Sequence, residues 1–191
     1  MAVIRALKEL HHGTFAALQG LTQGWFLGLS ARVVFSSVLL IYFLNSAATK
    51  VGSGFPGMLI AQLGAYAQIV PPIAEQYGYD ASKIPFLPYG LVVYAGTYAE
   101  VILPLLVLVG LFTRLASIGM LGFIAVMSYV DIAFHGIDEK AIGHFFDRIH
   151  DSALSDQRLL WVFPLVYLIL RGPGLISLDT LLGRLMRQER I

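Results

Sequence analysis

The chain has 191 residues, of which 57% are hydrophobic and only 13% charged, with a net charge of +1. A soluble domain carries about 25% charged residues because its surface needs them. This composition therefore excludes a soluble globular domain, a disordered tail and a nucleic-acid-binding module. The mean hydropathy of +0.74 points instead to lipid as the solvent for much of the chain. The absence of cysteine excludes a disulfide scaffold, a thiolate metal site, a cysteine nucleophile and cysteine-ligated iron–sulfur or c-type haem.

Distances between charges predict the elements. Residues 1–28 hold Arg5, Lys8 and Glu9 and form an N-terminal segment. It does not read as a cleaved signal, because the apolar run starts only after Arg32. Arg32 and Lys50 bracket 17 uncharged residues. A membrane helix needs about 20 mainly apolar residues, and basic residues at its ends can snorkel. A first span is therefore predicted at 29–49. Residues 51–74 are uncharged but carry four glycines and Pro71-Pro72. Their continuous part, 58–70, is short for a span and suits a helix in the interface or packed on the bundle. A fifth span is the competing reading. A turn-rich loop leads on to Pro88.

Lys83 and Arg114 bracket 30 residues interrupted only by Glu100, which gives a second span at 88–111. A third follows at 115–135, and a fourth, shorter one at 155–172 around Pro164. Residues 176–191 form an amphipathic surface helix: Leu178, Leu181, Leu182 and Leu185 share a face, Arg184, Arg187 and Arg190 lie largely off it, and Ser177 stands ready to cap its start. The predicted fold is all-α: an integral membrane four-helix bundle with a domain over 29–175 and an interfacial segment between spans one and two. Counting Lys and Arg near the span ends places both termini in the cytoplasm.

Glu100 sits in the middle of span two. A charged carboxylate there costs several kcal/mol unless it faces the bundle interior, so it is a site candidate with a proton-relay role. A structural polar knot is the competing reading. Its candidate neighbours are Asn45 and Lys50 at the exit of span one, Tyr94, Thr97 and Tyr98 on span two, and Ser128, Tyr129 and Asp131 at the exit of span three. Asn45, Tyr94, Tyr98 and Glu100 together offer the hydrogen-bonding groups in an apolar cleft that a quinone head group needs. Asp131 and His135 are four apart and share a helix face. No metal site is expected; were there one, these two would begin it. Small residues (Gly90, Ala95, Gly96, Ala99, then Ala116, Gly119, Gly122, Ala125) suggest close helix packing or a homodimer face. The chain carries no cofactor-binding motif of its own.

The stretch 98–104, Tyr-Ala-Glu-Val-Ile-Leu-Pro, followed by 110–116, Gly-Leu-Phe-Thr-Arg-Leu-Ala, resembles the signature of the DoxX family of small bacterial inner-membrane proteins. The opening of span one and the stretch 158–179 are similar to that family as well. Glu100, Pro104, Thr113 and Arg114 are the matching positions. The long 51–88 region and the acidic, histidine-bearing loop at 131–156 depart from the family pattern. The resemblance implies a multi-pass subunit of a redox complex in a bacterial inner membrane. Such a subunit would be quinone-linked, with a soluble oxidoreductase partner supplying the redox chemistry. The sequence leaves open whether the chain is itself an enzyme. A structural or assembly protein without catalysis, or a small solute or metal transporter working as a homo-oligomer, are the alternatives.

Overall fold

A computed structural model describes residues 1–188. Every regular element in that range is helical apart from one isolated antiparallel bridge, Val51 to Ala61. Three helices are long and apolar enough to cross a membrane: α2 (Phe26–Ala48), α5 (Leu91–Val109, with a π-turn Phe86–Gly90 leading in) and α6 (Thr113–Phe134). The elements α1 (Ala2–Thr22), α3 (Leu63–Ile69), α4 (Pro71–Gln76), α7 (Glu139–Ile142), α8 (Ser155–Arg171) and α9 (Leu178–Gln188) complete the chain.

Packing places α2 against α5 and α8, and α6 against α5 and α8. The core repeats at helical spacing: Phe35, Leu39 and Phe43 of α2, Val107 of α5, Ala116, Met120 and Ile124 of α6, Leu165 and Leu168 of α8. The outward faces are equally apolar. Val34, Val38, Ile41, Leu91, Ile118, Val126, Leu160 and Phe163 are all exposed. A soluble protein rarely exposes a continuous apolar belt of this kind, whereas a lipid-solvated one requires it. The 17 residues of α8 span about 26 Å at 1.5 Å per residue, close to the hydrocarbon thickness.

Two expectations change in detail. The N-terminal segment is a 21-residue helix with no buried residue. The predicted run 58–70 is broken: a 3-10 turn (Gly57–Leu59), an extended stretch and then α3. Gly57 lies so close to Gly52 that a Cβ there would stand 3.2 Å from the Gly52 carbonyl carbon, and this hairpin interrupts the helix. With α4, the region packs on the start of α5 through Ala61, Ala65, Tyr66, Ala74, Ile84 and Val93. Burial raises the Tyr66 phenol above its usual range. On the loop to α5, hydrogen bonds from Ser82 and the partner Lys83 hold Asp80 at about 2. The C-terminal helix is observed as expected, with Thr180 N–H donating to Ser177 Oγ; Glu189, Arg190 and Ile191 lie outside the described residues.

One end of the bundle is tied by backbone contacts. Gly28 of α2 meets the 173–174 backbone so closely that a Cβ would lie 2.5 Å from the Pro173 carbonyl carbon. Leu175 N–H donates to the Gly24 carbonyl. Arg32, expected as a snorkelling flank, is instead buried. Its guanidinium donates to the carbonyls of Val107, Leu108 and Ile176, the first two belonging to the last turn of α5, where Val107 also accepts from the Gly110 N–H. Gly110, left-handed at φ +72°, ends α5, and Asp179 accepts hydrogen bonds from the Phe112 and Thr113 amides that open α6. The Gly110–Arg114 motif is thus a capped helix–helix turn.

Candidate functional site

At the other end of the bundle Lys50 follows the last turn of α2. Its side chain turns back along the helix. There Nζ donates to Ser46 Oγ at 2.7 Å and to Glu100 Oε2 at 3.0 Å. Both partners of this ion pair are almost wholly buried, with 4% and 5% of their side-chain surface exposed. Burial of one charge without the other would be untenable in so apolar a setting. The pair therefore brings α2 and the middle of α5 together.

A second polar cluster lies on α6 and α8. Asp131 accepts from Arg158 through one oxygen and sits 2.9 Å from His135 Nδ1 through the other. Arg158 also donates to Ser128 Oγ at 2.6 Å. Arg158 is buried and holds α8 to α6. Its Nε is buried without a partner among the described residues.

The two clusters line one cleft of about 560 Å³. Ser46, Lys50 and Glu100 form one polar wall, Asp131 and His135 the other. Tyr42 lies in the wall between, within electrostatic reach of Glu100, Asp131 and Arg158. The floor is apolar and small: Ala95, Gly96, Ala99, Gly119 and Gly122. A Cβ on Gly122 would meet nothing within 4 Å. Gln68 and Ile69 of α3 contribute the edge, Ile69 packing over Gly96. Part of the small-residue stripe thus opens a cleft where close helix packing was expected.

Of the residues singled out from sequence, Glu100, Lys50, Asp131 and His135 come together. Asn45 is exposed on α2 and does not line the cleft. Tyr94 and Tyr98 lie on a different face of α5. Tyr94 packs on Phe86, and the Tyr98 hydroxyl donates to the Leu59 carbonyl. Thr97 spends its hydroxyl on the Val93 carbonyl of its own helix. Sequence reasoning missed Tyr42, Ser46 and Arg158. Ser46 had a readable signal, standing one turn before Lys50 where the two side chains must meet. Among the described residues no group of three or more His, Asp or Glu side chains is placed to hold a metal.

The fold and site define a multi-span membrane protein with a buried ion pair facing a cleft. Compared with known proteins, the chain matches no family model, no curated protein and no solved structure.

Proposed function

We propose that this chain is a four-span, DoxX-like inner-membrane subunit of a redox complex. In this reading its cleft receives a quinone-type head group, and a soluble oxidoreductase partner supplies electrons. The observation that carries the reading is the buried Lys50–Glu100 pair at the wall of a cleft whose remaining surface is mostly apolar. The fit is chemical. A ring carbonyl needs a donor, which the Lys50 ammonium supplies, and a flat apolar wall, which Gly122 leaves room for. The cleft's volume lies within the usual range of about 300–1,000 Å³ for small-molecule sites. When bound, quinone would supply a couple taking up two electrons and two protons. Lys50 orients the ring oxygen, and Glu100 relays a proton toward it. The packing of α8 with α2 and α6 supports a fourth span, and the basic ends of α1, α8 and α9 support cytoplasmic termini.

A second reading is favoured by one observation. Lys50 is already satisfied by Ser46 and Glu100, as a structural staple in an assembly protein would be. A short-chain quinone titrated into the protein in nanodiscs separates the two. Saturable binding, weakened in Glu100→Gln while the helical fold persists, supports the redox subunit. Absence of binding to the wild-type chain overturns it and leaves the staple.

A further inference from the structure

The helix α1 has no buried residue and no extensive packing against another element among the described residues. It is nonetheless strongly two-faced. At 100° per residue Val3, Ile4, Leu7, Leu10, Leu18 and Leu21 fall on one side, and all are exposed. Ala2, Arg5, Glu9 and Ala16 fall on the opposite side, with Lys8 toward its flank, while His11 and Thr14 fall within the apolar side. This charged helix does not meet the composition of a span. A surface of this kind lies on a bilayer.

Three observations fix lipid as the occupant. First, the apolar side of α1 runs into a lipid-solvated element: after Gly24, at φ +80°, come exposed Phe26 and Leu27 of α2. The elbow carries Trp25, whose indole N–H donates to the Leu21 carbonyl, an amphipathic ring where a membrane interface favours one. Second, this elbow is stapled to the one that launches α9, through Leu175 N–H to Gly24 and the Gly28–Gly174 approach. The two amphipathic helices therefore leave the bundle at the same end. Third, that end is basic. Arg114, Arg171, Arg184 and Arg187 are exposed there and α1 carries exposed Arg5 and Lys8, while Asp179 is consumed in capping α6, which leaves Glu9 as the opposing acid among the described residues of α1 and α9.

We propose that α1 and α9 form a paired membrane-surface platform that grips the anionic lipid head groups of the leaflet on the N-terminal side. Each basic residue near such a surface adds to the attraction toward anionic head groups. The platform stands independently of any ligand in the cleft.

The chain lacks cysteine, so single cysteines can carry nitroxide labels in the full-length protein, and the spans keep every variant in the membrane. Leu7→Cys and Leu18→Cys test the apolar face; Ala2→Cys and Ala16→Cys test the opposite one. In vesicles of phosphatidylcholine with one part in three phosphatidylglycerol, the first pair should be reached by oxygen and shielded from an aqueous nickel chelate. The second pair should show the reverse. Removing the phosphatidylglycerol, or introducing Arg5→Gln with Lys8→Gln, should reduce that shielding. Equal exposure of all four positions overturns the platform. Shielding indifferent to anionic lipid overturns the head-group grip. Dipolar broadening between Leu7→Cys labels on different protomers assigns the face to a second copy of the chain, which also overturns it.

Discussion

Buried charge occurs at both ends of the bundle, and the two ends use it differently. At the elbow end Arg32 is enclosed by backbone carbonyls, and Gly28 lets the 173–174 backbone approach without a gap. At the cleft end Lys50 and Glu100 satisfy each other, and Gly122 faces open space. Charge spent on helix ends holds the bundle. Charge spent on a side-chain pair beside a cleft builds the wall of that cleft. A glycine pressed against backbone and a glycine facing emptiness mark the same division.

The sharpest way to break this contrast is to remove half of the ion pair. Glu100→Ala strands a buried ammonium and should destabilise the protein by about 3–5 kcal/mol, while the double variant Lys50→Met/Glu100→Leu should regain most of it. Unfolding of the detergent-solubilised chain measures both, and a double variant no better than the single one would show that the pair is not coupled. Arg32→Met removes a charged donor from three carbonyls, of which, among the described residues, Val107 alone keeps a backbone partner, and should cost about 3 kcal/mol in the same assay, with no rescue by any single acidic change. Gly28→Ala forces a Cβ against backbone that cannot move aside, and a loss of about 2 kcal/mol is expected from overpacking. Asp179→Ala removes the cap of α6 and should lower stability by about 1–2 kcal/mol, seen first as faster amide exchange at Phe112 and Thr113. Gly122→Ala should change stability by less than about 0.5 kcal/mol, yet its methyl group enters the cleft. Weakened quinone binding in that variant at unchanged stability would tie the open space to function.

Much of the helical layout was legible because charges are costly in lipid, and their spacing therefore marks the ends of apolar runs. Glu100 stood out for the same reason. Its partner was harder to choose. Lys50 and Asn45 both lie at the exit of span one, and only the backward turn of the Lys50 side chain selects between them. Tyr94 and Tyr98 share a helix with Glu100 but not its face toward the cleft. Small residues at 119 and 122 read equally well as a packing seam or a floor, because composition does not say whether a neighbouring helix closes over them. The N-terminal helix escaped notice because its charges and glycines lower its hydropathy, while its apolar residues recur at helical spacing.

By itself, the sequence determined that this is an all-α, multi-span membrane protein with a carboxylate in an apolar span and an amphipathic C-terminal helix. These follow from local composition and period, which solvent reads residue by residue. Tertiary structure alone decided that Arg32 serves the ends of α5, that Asp179 caps α6 from 66 residues away, and that Lys50, Tyr42, Asp131 and His135 share a cleft with Glu100. Such pairings depend on which helix faces meet. In lipid that choice is made by packing and by the need to satisfy each buried charge, and both belong to the assembled bundle, not to any single segment.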